Sequence, residues 1–153
     1  MRKFVERFLE KYVTEPEASP ENETRRLQIA TCVLLLEAAK TDEELSGLEE
    51  KMITRILKKE FDLSDEAVEE LMEIAHSRRE ESVDLYEFTR LINEHYSRKE
   101  KMKIMEFVWK VIYADARLDK YEDHLIHKLA KLLRFHHHEM IEAKLKVLAE
   151  SRD

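Results

Sequence analysis

The sequence predicts an all-α domain, and its composition and its hydrophobic periodicity both favour this class. The 153 residues include one glycine and two prolines, so residues suited to tight β-turns are nearly absent. Hydrophobic residues make up 43% and charged residues 40%, which is enough for one core beneath a charged surface. Apolar residues recur every three or four positions, a spacing that places them on one face of a helix. We therefore predict a compact bundle of about eight helices and no strand.

The N-terminal part is predicted to be a helix and a linker that precede the main domain. Residues 2–13 place their apolar side chains on one helical face and their charges on the other. Such a helix packs on its own domain, on a partner or on a membrane surface, and the sequence leaves all three open. Residues 14–20 hold both prolines and form the predicted linker, with Pro20 at the first position of the next helix. The helical domain then covers residues 21–153, with two halves at about 27–75 and 100–148.

Seven helices are predicted within that domain, each bounded by a polar break. The helix over residues 21–40 is apolar on nearly every side and is expected to be buried, as is the helix that starts after Ser97. Ser97 and Glu100 have the spacing of a capping box, in which a hydroxyl and a carboxylate satisfy each other's backbone N–H groups. The other five are predicted over residues 47–60, from Ser64 to residue 75, and over 84–92, 120–133 and 138–149.

A shift of 73 residues aligns two parts of the chain without a gap, which indicates an internal repeat. Each half then holds a buried helix, an Asp-x-x-Leu-x-x-x-Glu connection, an amphipathic helix and a further helix, and a pseudo-twofold would relate the halves. With a one-residue adjustment, Leu63-Ser64 also aligns with Phe135-His136. The main aligned pairs are Leu35 with Val108, Asp42 with Asp115, Leu45 with Leu118, Glu49 with Glu122, Met52 with Leu125 and Ile56 with Leu129.

The two connections are acidic and have two interpretations. Asp42 and Asp115 follow the buried helices, where a negative charge opposes the helix dipole, so a backbone N–H or a cation should offset each carboxylate. In one interpretation the acidic residues only cap helices; in the other, each connection binds a divalent cation. Capping-box spacing occurs at Ser46 with Glu49 and at Asp119 with Glu122.

The candidate metal site follows from the second interpretation. Carboxylate oxygens favour Ca²⁺, Mg²⁺ or Mn²⁺ over softer metals. The connections are not EF-hands, because Asp to Glu spans eight positions and the central glycine is missing. The candidate ligands are Asp42, Glu49, Asp115 and Glu122, with Asp119 and His124 as secondary candidates.

Signals for catalysis are absent, and we predict that the protein is not an enzyme. The lone Gly47 cannot form a phosphate-cradling loop, and Cys32 lies in the most apolar helix, where burial blunts a thiol's reactivity. His124 and His127 lie one helical turn apart, whereas the adjacent histidines at 136–138 diverge around a helix start and seldom share one metal ion. A single cysteine excludes an intramolecular disulfide.

The acidic excess is concentrated in one segment of the chain. The net charge is −7, so there is no positive field to attract nucleic acid. Residues 37–73 hold thirteen acidic and five basic residues, and they are either a solvated face or a surface for cations or a basic partner. We expect an unidentified protein partner to bind this acidic face or the N-terminal helix. The longest apolar stretch ends at Leu36 after eight residues, so no transmembrane segment is predicted and we expect a soluble, cytoplasmic protein.

The segment from Tyr113 to Ile126, with its Ala-Asp at 114–115 and Glu122, resembles the signature of TerB-like proteins, the tellurite-resistance family. Residues 84–93 also resemble the bacterial branch of that family, and the likeness runs from about Leu27 to Leu148. The family motif has glycine where this chain has Ala116 and Glu43. The resemblance implies an all-helical cytoplasmic fold of two similar halves with an acidic surface, and a link to metal-ion sensing or stress.

Overall fold

The computed structural model describes residues 20–41, 45, 47–48, 50–66, 68–69 and 85–151. Within these residues there are helices and no strands, so the predicted all-α class is confirmed. The predicted helix over 2–13 and most of the linker lie outside the described residues. The seven helices are α1 (Pro20–Thr41), α2 (Glu50–Phe61), α3 (Leu85–His95), α4 (Arg98–Ala114), α5 (Ala116–Asp119), α6 (Glu122–Leu132) and α7 (His137–Ser151).

The helix boundaries follow the sequence signals except in the two connections. The helix predicted over residues 47–60 begins at Glu50, because Gly47 and Leu48 are not helical. α1 begins at Pro20 as predicted. α4 begins with the expected capping box: the Ser97 hydroxyl accepts the Glu100 N–H at 3.1 Å, and the Glu100 carboxylate accepts the Ser97 N–H at 2.8 Å. The connection after α4 was expected to be a loop, but it contains the one-turn helix α5, which was not predicted. The helix predicted after Ser64 is described only at residues 65–66 and 68–69, which are helical.

The core is built around α1 and α4, which contact each other and are the most buried helices in the described part of the chain. α1 also contacts α2 and α3, while α4 also contacts α2, α6 and α7. Cys32 is fully buried in α1, as its apolar surroundings predicted. Trp109 is buried in α4 and donates its indole N–H to the Met140 carbonyl at 3.1 Å, which ties α7 to the central pair.

Helices α2 and α6 end in the same kind of turn. In each, the residue that leads out of the helix has a left-handed backbone, with φ of 49° at Asp62 and 64° at Arg134. These two residues correspond under the adjusted register of the proposed repeat. The internal symmetry as a whole stays a prediction. The closing hydrogen bonds of this Schellman-type turn run from the Leu63 N–H to the Lys58 carbonyl (3.2 Å) and from the Phe135 N–H to the Ala130 carbonyl (2.8 Å).

None of the described helices has the length and apolar content that crossing a bilayer requires.

Candidate functional site

Asp115 lies at the junction of α4 and α5 and serves both helices. Its extended backbone ends α4, and its carboxylate caps α5 by accepting the Arg117 N–H at 2.8 Å. The Arg117 guanidinium lies 3.4 Å from the other carboxylate oxygen. These hydrogen bonds from Arg117 lower the pKa of Asp115. The unfavourable position of the Asp115 carboxylate at the negative end of the α4 dipole is therefore offset by two groups, the Arg117 backbone N–H and the Arg117 guanidinium.

Glu122 and Asp119 lie side by side where α5 leads into α6. The predicted capping box between them is wrong, because Tyr121 is the N-cap of α6 and makes no side-chain capping bond. Asp119 is instead the last residue of α5, and its carboxyl group lies beside that of Glu122. Partial burial raises the pKa of Glu122, and a proton shared with Asp119 and the neighbouring negative charges raise it further. The Lys144 ammonium, 3.6 Å from the Glu122 carboxylate, opposes the rise.

The connection between α1 and α2 lies against the connection between α4 and α6. A Cβ atom added to Gly47 would lie 2.8 Å from the Tyr121 hydroxyl. Leu45 and Leu118, which the repeat aligns, are both buried. The candidate ligands Asp42 and Glu49 lie outside the described residues, so the described contact between the two connections is that of Gly47 with Tyr121.

The described part of the chain contains no group of three or more histidine, cysteine, aspartate or glutamate side chains arranged to hold a metal ion. The secondary candidate His124 is exposed on α6. His127 has its Nδ1 2.6 Å from the Asp123 carbonyl oxygen and stacks on His137 at 5.9 Å between ring centroids. A complete cation site would therefore need ligands from the first connection, from water or from a partner.

A family model described as tellurite resistance protein TerB matches residues 28–145, which is most of the chain. The chain belongs to the TerB family. The family resemblance of the sequence is therefore confirmed. Comparisons with curated proteins and with solved structures return no match.

The TerB match places all the described acidic residues of the second connection within the family domain. Sequence reasoning identified these acids but missed the cations that accompany them. The pairing of Arg117 with Asp115 could have been predicted from the sequence, because Arg117 lies two residues after an aspartate that was expected to need a neighbouring cation. The pairing of Lys144 with Glu122 could not, because Lys144 reaches Glu122 only after α7 has packed beside α6.

Proposed function

We propose that this TerB-family chain is a non-catalytic, cytoplasmic binding module that binds a divalent cation between its two acidic connections. The site would use Asp119 and Glu122 together with Asp115 from the second connection, and Asp42 and Glu49 from the first. Such a module would report cation availability to a protein partner in a stress or tellurite-related response. Ca²⁺, Mg²⁺ and Mn²⁺ are the cations suited to carboxylate oxygens.

The observation that carries the proposal is the crowding of Asp119 and Glu122. Partial burial and the neighbouring Asp119 carboxylate raise the pKa of Glu122, so this pair of carboxylates has an increased preference for a proton. A divalent cation would replace that proton and neutralise both groups. The contact of Gly47 with Tyr121, the residue before Glu122, supports a site that takes ligands from both connections.

The test is thermal unfolding of metal-stripped protein, alone and with millimolar Ca²⁺, Mg²⁺, Mn²⁺ or Zn²⁺. A cation at about 100 times its Kd adds ~2.7 kcal/mol, which raises the midpoint by roughly 5–10 °C for a chain of this size. We expect the midpoint to rise by that amount with Ca²⁺, Mg²⁺ or Mn²⁺. The rise should become smaller as the pH falls towards the raised pKa of Glu122, because protons compete with the cation for the same oxygens.

The variant Asp42→Asn/Asp115→Asn should lose the shift while staying folded, because asparagine can still accept the Arg117 N–H as an N-cap. The matched control is Asp62→Asn/Glu66→Gln, which removes the same charge from exposed residues beyond the far end of α2, about 18 Å along that helix. No shift with Ca²⁺, Mg²⁺ or Mn²⁺, or equal shifts in both double variants, would refute the cation site.

A purely structural protein-interaction module without metal is the second candidate. It is favoured by the pairing of Asp115 with Arg117 and of Glu122 with Lys144, since both carboxylates already have a protein cation beside them. In that case the acidic connections only cap helices and hold α7 in place. The same unfolding experiment separates the two candidates, because only the cation-binding module gains stability from added metal.

A further inference from the structure

A cavity lined by basic side chains lies at the C-terminal end of α6, the end away from Glu122. The cavity has a volume of about 590 Å³ and lies where α3 meets the C-terminal end of α6. Its walls include three cationic side chains, Arg90, Lys131 and Arg134, and no acidic side chain is among the lining residues that the structure describes. The lining also includes Leu132 and the ring of Tyr86, which is 73% exposed. Its volume falls in the range of cavities that hold small organic ligands.

The three cations of this cavity have no partner among the side chains that the structure describes. Arg90, Lys131 and Arg134 are all exposed, and none of the three makes an ion pair or a side-chain hydrogen bond with one of those side chains. Most other cations nearby are engaged: Arg98, for example, pairs with Glu139 and donates to the Arg134 carbonyl at 3.4 Å. Three cations that line one cavity produce a local positive potential although the chain as a whole is negative.

A buried ammonium behind the cavity adds to this potential. Lys101 is only 7% exposed and donates to two neutral acceptors, the Asn93 side-chain oxygen at 3.0 Å and the Leu133 carbonyl at 3.1 Å. Asn93 lines the cavity and donates in turn to the Leu132 carbonyl at 3.0 Å. The carbonyls at the end of α6 and in the turn after it would repel an anion if they were free. Because Asn93, Lys101 and Arg98 donate to the carbonyls of residues 132–134, the negative end of this helix is covered.

The backbone at Arg134 shows that this cation is held at a conformational cost. Its φ of 64° lies in the left-handed region, at the position of the helix-ending turn where glycine is the common residue. A non-glycine residue is disfavoured in this conformation relative to the right-handed region, because its Cβ approaches the following carbonyl oxygen. Strain of this kind is often found where a side chain has a function to perform. Asp62 occupies the matching position at the end of α2 and provides an internal comparison.

We propose that this cavity is a binding site for a small phosphate ester that carries a planar ring. The guanidinium and ammonium groups of Arg90, Lys131 and Arg134 would surround the phosphate, since such groups form strong charge-assisted hydrogen bonds with its oxygens. The exposed Tyr86 ring and Leu132 would contact the ring of the ligand. The site is about 16 Å along α6 from Glu122, so it does not depend on the cation site proposed above.

The experiment measures binding of AMP to the full chain by calorimetry at constant ionic strength, beside adenosine, inorganic phosphate and citrate. We expect AMP to bind, adenosine to fail, and phosphate and citrate to bind at least tenfold more weakly than AMP. Absence of AMP binding would overturn the proposal. Equal binding of citrate would overturn the phosphate class, and equal binding of inorganic phosphate would overturn the ring contact.

The variants Arg134→Gly and Asp62→Gly separate binding from folding. Both remove a side chain from a left-handed turn, so both should raise the unfolding midpoint, by about 2–4 °C, or leave it unchanged. Only Arg134→Gly should weaken AMP binding, by roughly tenfold or more, because it removes a cation from the phosphate. Tyr86→Ala should weaken AMP binding but leave phosphate binding unchanged. Unaltered AMP binding in Arg134→Gly, or equal losses in both glycine variants, would contradict the assignment.

Discussion

Substituting Gly47 by alanine tests whether the two acidic connections lie against each other. The φ of Gly47 is not positive, so its backbone places no special demand on glycine. A Cβ at this position would, however, lie 2.8 Å from the Tyr121 hydroxyl oxygen, which is too close. Its distance of 3.9 Å from the ring carbon that carries the hydroxyl is an ordinary contact. The added methyl group therefore meets one atom of one side chain.

The size of the effect follows from that distance. An ordinary carbon contact begins near 3.4 Å, so Tyr121 has to move by about 0.6 Å, and overpacking of this kind costs ~1–3 kcal/mol. We expect the lower end, near ~1 kcal/mol or about 2–4 °C in the midpoint, because a side-chain end yields more easily than backbone. In a Tyr121→Phe background the hydroxyl is gone, and Gly47→Ala should then stabilise by ~0.4–1 kcal/mol through the unfolded state.

The assay is a double-mutant cycle with urea unfolding of the parent, Gly47→Ala, Tyr121→Phe and the double variant. The expected result is a change of sign: alanine destabilises next to tyrosine and stabilises next to phenylalanine. Sites that do not touch give additive effects, whereas contacting residues couple by about 0.5–3 kcal/mol. The same effect of Gly47→Ala in both backgrounds would refute the contact between the connections, and with it the shared cation site.

Two further predictions concern the starts of helices. Ser97→Ala removes the hydroxyl that accepts the Glu100 N–H at the start of α4, so it should lower the free energy of unfolding in urea by ~1 kcal/mol. Ser97→Asn keeps a capping acceptor and should restore most of that stability. An alanine variant as stable as the parent would argue against the cap. Glu139 accepts the His136 N–H at 2.9 Å and pairs with Arg98, and these contacts hold the pKa of its carboxyl below its usual 4.5. Its contribution to stability is therefore full above that value and is lost as the pH falls through the lower folded pKa. Glu139→Gln should make the urea midpoint less sensitive to acid, whereas the exposed Glu142→Gln should not, and equal acid profiles would contradict the assignment.

Local signals in the sequence determined most of the helices. The capping box at Ser97, the proline at the start of α1 and the apolar spacing along α4 act within a few residues of chain, and all three have their predicted place in the structure. The buried positions of Cys32 and Trp109 followed in the same way, since a helix that is apolar nearly all round has to lie inside the bundle. The TerB signature in the second connection was also readable from the residues alone.

Tertiary structure decided what the acidic residues do. The spacing of Asp119 and Glu122 is that of a capping box, but an extra turn of helix places Asp119 inside α5, so its carboxylate lies beside that of Glu122 and does not cap α6. Lys144 reaches Glu122 from a helix that lies more than twenty residues further along the chain. The basic cavity has no sequence signal either, because Arg90 and Arg134 come from α3 and from the turn after α6 and meet only when these segments pack together. Helix caps can be predicted from sequence because they depend on residues three or four positions apart. Ion pairs and cavities depend on which helix faces become neighbours, and only the packing of the helices decides that.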